Sequence, residues 1–134
     1  LDKLKALNIS GGFHLNEKIE SVGPYSLNRS GGNLLFISGQ LPINPKTGEL
    51  EKNFKNQCRR SLSNIEVILE NEKLTLDDIV KLTVIVEDLE EFDQVNEVFT
   101  EVFKEPYPAR STFEVSRLPK EAAIEIEAIA MKKI

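Results

Sequence analysis

Apolar residues recur along the chain with two periods. Phe54, Cys58, Leu62, Ile65 and Leu69 fall at i, i+4, i+8, i+11 and i+15. That is one stripe on a helix running from about Asn53 to Glu70. Phe92, Val95, Phe99 and Val102 predict a second helix, from about Leu89 to Phe103. Elsewhere the period is two. "DDIVKLTVIVED" is dense in β-branched residues and predicts a strand. "PYSLNRSGGNLLFISG" predicts two short strands around a turn at Arg29 to Asn33, with Leu34 to Ser38 the stronger. A strand opens at Arg110, a turn follows at Leu118 to Glu121, and "AAIEIEAIAM" closes the pattern. Pro42, Pro45 and Gly48 make "QLPINPKTGEL" an ordered loop. Residues 1–22 carry the weakest pattern: "LDKLKALNI" fits a short amphipathic helix or a strand, and "SGGFHLNEKIE" is loop-like.

The predicted order is β-β-α-β-α-β-β, an α+β domain with two helices on one face of a sheet. On the last strand Ile124, Ile126, Ala128 and Ala130 point one way and suit the helices. Ala123, Glu125, Glu127, Ile129 and Met131 point the other way. Carboxylates mixed with large apolar side chains on a face that no helix covers predict an oligomer surface.

Composition narrows the class. The 134 residues suffice for one domain with its own core, and 40% hydrophobic with 29% charged residues describes a globular chain. The net charge of −5 argues against a general nucleic-acid binder, which needs a basic footprint. The single cysteine, Cys58, excludes an intrachain disulfide framework and lies on the first helix's apolar stripe. No apolar run reaches the ~18 residues of a membrane span, so no membrane partner is expected. The chain begins at Leu1 without a signal-peptide pattern. A cytoplasmic location is the expectation, with a mitochondrial one open if residues precede Leu1.

Two groups carry candidate chemistry. In "PYPARSTFEV" the prolines set extended backbone ahead of Arg110. Alternation then puts Arg110, Thr112 and Glu114 on one face and Ser111, Phe113 and Val115 on the other. An arbitrary arginine is usually a surface or ion-paired residue; one fixed at a strand start is suited to gripping a carboxylate bidentately. Glu125 and Glu127 share a face on the strand most simply paired with that of Arg110. Alternating glutamates usually mark a solvated face, but a carboxylate near a substrate-binding arginine can orient or deprotonate water. Gly39, after Ser38 at a strand end, suggests close approach to the backbone. His14, the only histidine, is expected in a loop. No metal site or P-loop is visible.

"GPYS", "NLLFISGQLPINPKTGEL", "DDIVKLTVIVEDLEEFDQVNEVF" and "YPARSTFEVSRLPKEAAIEIEAIA" together resemble the RidA/YjgF family of reactive-intermediate imine deaminases. The resemblance covers residues 23–134 and leaves 1–22 as an N-terminal extension. It implies a chorismate-mutase-like α+β fold assembled as a homotrimer with clefts between subunits. It also implies hydrolysis of 2-imino acids, released by PLP-dependent dehydratases, to 2-keto acids and ammonia without cofactor or metal. Carried over by position, Arg110 holds the substrate carboxylate and Glu125 places or activates water. Tyr25, Ser38, Gly39, Asn96 and Thr112 line the cleft. Thr112 stands where many members have cysteine, and Leu27 where glutamine commonly follows "GPYS". Some members of the family are described as endoribonucleases or translation inhibitors. That role and a non-catalytic ligand-binding trimer are the alternatives.

Overall fold

The computed structural model describes residues 17–133. The expectations for "LDKLKALNI" and for His14 fall outside the described residues. Seven main elements follow in the predicted order: β1 (Asn28–Gly31), β2 (Leu34–Gln40), α1 (Phe54–Asn71), β3 (Ile79–Val86), α2 (Phe92–Val102), β4 (Ala109–Glu114) and β5 (Ile124–Met131). Short 3-10 turns at Leu76–Asp78, Leu89–Glu91 and Pro119–Glu121 lead into β3, α2 and β5.

Local chemistry sets the boundaries. Gly32, at φ 60, begins a two-residue turn that closes the β1–β2 hairpin. The Asn53 side chain accepts from the Asn56 backbone N–H and caps α1. At the other end Lys73 takes a left-handed φ of 61. Leu74 N–H then reaches the Leu69 carbonyl and Lys73 N–H that of Glu70, a Schellman ending without the usual glycine.

The sheet order is β1-β2-β5-β3-β4, with β3 and β4 parallel and every other pair antiparallel. β2 and β3 both run antiparallel to β5, so they are parallel to each other. The chain therefore makes two crossovers in the same direction across the sheet, β2–α1–β3 and β3–α2–β4. Right-handed connections of that kind place both helices on one face. Between them and the sheet lies the core: Leu35, Leu62, Ile65, Leu69, Leu82, Val84, Ile124 and Ile126 are fully buried. A bidentate Arg59–Glu101 pair (both contacts 2.9 Å) and a Lys55–Glu97 pair lock α2 against α1.

No helix among the described residues covers the opposite face. β5 alternates as expected, with Ile124, Ile126, Ala128 and Ala130 buried under the helices. Phe36 and Phe113, each 44% exposed, and Met131, 47% exposed, stand on the other side with Ile129. Glu17 forms a buried pair with Arg60 at 3.3 Å, and Glu51 meets the same guanidinium at 3.1 Å. Glu17, well ahead of the hairpin, and Glu51, after it, are thereby tied to α1.

Candidate active site

Register places the proposed arginine and glutamate, and corrects one expectation. β4 pairs only with β3; β5 pairs with β3 and β2. The strand carrying Glu125 is thus not the neighbour of the strand carrying Arg110. The two residues also lie on opposite faces. Arg110 sits in one row with Leu82 and Ala128, which face the helices. Glu125 sits in a row with Ile85 and Phe113 on the bare face. Two strand spacings, about 10 Å, and the thickness of the sheet separate them. The polar face of β4 turns inward because both crossovers carry the helices to that side.

Around Arg110 the structure brings together one half of the expected constellation. The Arg110 Nη2 donates to Asn96 Oδ1 at 2.8 Å. Its guanidinium carbon lies 5.3 Å from the Phe92 ring centroid and 4.9 Å from that of Phe99. Phe92, Asn96 and Phe99 occupy i, i+4 and i+7 on α2, so one helical ridge holds the guanidinium. The stiff lead-in stands beside it: Tyr107 and Pro108 join Arg110, Asn96, Phe99 and Thr100 around a cavity of about 440 Å³. Burial draws the Arg110 pKa below its ordinary value, opposed by the nearby Cys58. The group still remains a cation throughout the physiological range. Thr112 lies two residues further on the same face, its buried hydroxyl without a partner among the described residues.

Glu125 organises the other half. β2 bulges between Ile37 and Gln40, where its register against β5 shifts. There the Glu125 carboxylate lies against Gly39, so close that a Cβ at position 39 would come 2.7 Å from Oε2. Only glycine permits that approach. The Ser38 hydroxyl donates to the Ser26 carbonyl at 2.6 Å, and Ser38 N–H to the Leu27 carbonyl at 2.9 Å. These bonds bring the Tyr25 segment to the bulge, with the Tyr25 ring half exposed. Gln40 Nε2 donates to the Ser38 carbonyl, and Asn64 holds the following loop through the Leu41 and Ile43 carbonyls. Gln57 Oε1 accepts from Ala123 N–H at 2.9 Å and fixes the start of β5. Burial first, and then the neighbouring Glu127 charge, push the Glu125 pKa above the ordinary carboxylate value.

The structure therefore groups Arg110, Asn96 and Thr112 on one face, and Glu125, Ser38 and Gly39 with the Tyr25 segment at the other. The helix periodicity marks Phe92 and Phe99 as core residues, yet both rings serve the guanidinium; Asn96, a polar break between them, is the signal for it. Cys58 is fully buried on α1, and desolvation raises its thiol pKa to about 12. Among the described residues no cluster of three or more His, Cys, Asp or Glu side chains is placed to hold a metal ion, and no helix is long and apolar enough to cross a membrane.

The sequence model of the family described as Endoribonuclease L-PSP matches residues 15–132. A RutC family protein of Pyrococcus horikoshii is 52% identical over 113 residues, covering 84% of this chain and 90% of the relative. A protein of Escherichia coli named 2-iminobutanoate/2-iminopropanoate deaminase is 47% identical over 116 residues, covering 84% and 91%. The crystal structure of E. coli TdcF with bound serine superposes with a TM-score of 0.79 at 41% identity, covering 84% of this chain and 91% of that one. The chain belongs to the Endoribonuclease L-PSP family, the RidA/YjgF family that its closing segment resembles.

Proposed function

We propose that this chain is a deaminase that hydrolyses 2-imino acids to 2-keto acids and ammonia, at clefts between the subunits of a homotrimer. One observation carries the reading. The carboxylate-binding group and the proton acceptor are built on opposite faces of one sheet, so each half needs the complementary half of another copy. A cyclic assembly sets the Glu125 face of one subunit against the Arg110 edge of the next. The bare patch of Phe36, Ile129 and Met131 supplies apolar area for it. The E. coli relative's name and the serine bound by TdcF, itself an α-carboxylate, support the same substrate class.

In this reading Arg110 grips the substrate carboxylate through its in-plane N–H groups. The protonated imine carbon is already electrophilic, so placement supplies most of the catalysis. Glu125 takes a proton from water as the water oxygen bonds to that carbon, forming a carbinolamine. Glu125 then gives that proton to the amine nitrogen and, again a carboxylate, takes the proton of the new hydroxyl as the C–N bond breaks, so that ammonia departs and the carbonyl remains. A carboxylate with a raised pKa is a better base for this step. Tyr25, Ser38, Gly39, Asn96 and Thr112 line the cleft, and neither cofactor nor metal enters the chemistry. Residues 23–134 form the working domain, 1–22 are an extension of it, and the setting is cytoplasmic.

Ammonia release from 2-iminobutanoate, generated in place by an amino-acid oxidase, tests the proposal; a rate no faster than the uncatalysed one defeats it. A second reading, endoribonuclease, draws on the family's description and on the ability of Arg110 to hold a phosphate. The net charge of −5 and the single histidine count against it. RNA cleavage lost in Arg110→Ala, without imine hydrolysis by the wild type, would put it first. Binding of 2-oxobutanoate without turnover would instead favour a non-catalytic ligand-binding trimer.

A further inference from the structure

We infer that Phe92 and Phe99 are positioning residues that clamp the Arg110 guanidinium, offering ligands only its planar N–H edge and so selecting a planar carboxylate over a tetrahedral oxyanion. The inference rests on the preceding reading of Arg110 as the carboxylate-binding group. Seven residues along a helix span about 10.5 Å, and the guanidinium carbon, 5.3 Å from one centroid and 4.9 Å from the other, fits between the two rings. Asn96, midway between them, takes one of the five guanidinium N–H donors. The other donors have no hydrogen-bond partner among the described residues and lie in the guanidinium plane beside the cavity.

Ring faces carry the negative part of the aromatic quadrupole. They attract the cation and repel anionic oxygens that stand out of its plane. Both oxygens of a carboxylate can lie in that plane. A phosphate always holds oxygens above and below it, where the rings provide no donors. Phe99 is 6% exposed and packs in the core, but Phe92 is 39% exposed. A ring so open to solvent contributes little to the core, which separates its effect on binding from an effect on folding.

The experiment is calorimetric titration of the intact protein with 2-oxobutanoate and with inorganic phosphate. It uses the wild type, Phe92→Leu, Phe92→Tyr, Phe99→Leu and Arg110→Lys, each shown by a cooperative thermal melt to be folded at the titration temperature. Phe92→Leu is expected to raise the Kd for 2-oxobutanoate roughly three- to tenfold. It is expected to leave phosphate binding nearly unchanged, so that discrimination between the two narrows. Phe92→Tyr, which keeps the ring, is expected to remain within about twofold of wild type. In NMR of the guanidinium nitrogens, rotation of the Arg110 head group should quicken in Phe92→Leu. If both leucine variants keep wild-type affinity and selectivity while Arg110→Lys loses binding, the clamp is refuted and the reading of Arg110 survives. If wild type and Arg110→Lys bind 2-oxobutanoate equally, or neither binds it, both readings fail.

Discussion

The Glu125 carboxylate and the α-carbon of Gly39 share a space that admits no additional atom: a Cβ on residue 39 would lie 2.7 Å from Oε2 and 2.9 Å from Cδ. The carboxylate ends a flexible side chain, so Gly39→Ala displaces the glutamate and leaves the backbone in place. We expect Gly39→Ala to fold normally and to lose roughly a hundredfold in kcat, the scale of an ångström's misplacement. Steady-state kinetics beside a thermal melt check this; full activity would show that the carboxylate's position is immaterial.

Glu125→Gln separates activity from stability. The folded-state pKa is raised by burial and by Glu127. The folded protein therefore disfavours the charged form, and the penalty grows as pH rises above the unfolded value and is complete above the folded one. Glutamine removes it. The variant should melt at or above the wild-type temperature at neutral pH, lose this advantage in acid, and hydrolyse imines at a small fraction of the wild-type rate. Wild-type activity should fall with acidification at a higher pH than an ordinary carboxylate would give. Melting curves and rates across pH decide both points.

Arg110→Lys keeps the charge but loses the planar fork that can hold Asn96 and a carboxylate together. Each charge-assisted bond lost costs about 1.5–3 kcal/mol, so kcat/KM should drop roughly ten- to a hundredfold or more. Unimpaired hydrolysis by an intact oligomer would make the arginine structural.

Phe36→Glu tests the bare face. Phe36 stands opposite Ile129 on β2 and β5, and a carboxylate there should be unpaired in any packed interface. We expect light scattering to report a single chain, and activity to vanish although Arg110 and Glu125 are untouched. A trimer that persists, or a monomer that works, would remove the argument from opposed half-sites.

Cys58 should be inert. Its thiol is fully buried with a pKa near 12, so an aromatic disulfide reagent at pH 8 should label no thiol in the native protein. One equivalent should react once the protein is unfolded. Rapid native labelling would place the cysteine in the cleft.

Periodicity alone established which residues of each element share a side, because that depends only on the repeat of a helix or strand. The split of β5 into Ile124, Ile126, Ala128 and Ala130 against Glu125, Glu127, Ile129 and Met131 was legible for this reason, as were both helices and the succession of elements along the chain. The likeness of the closing segment pointed to Arg110 and Glu125 as candidates, one residue at a time. Which face of β4 meets the helices was not legible, since alternation is the same from either side, and Phe113 looks the better core residue. That was decided by two crossovers running the same way across the sheet, which put both helices over Arg110 and left Phe113 and Glu125 outside. Strand order likewise depends on pairing between distant segments, so only the fold inserted β3 between the strands of Arg110 and Glu125. The chain's local pattern named the two residues, and its tertiary geometry set them back to back.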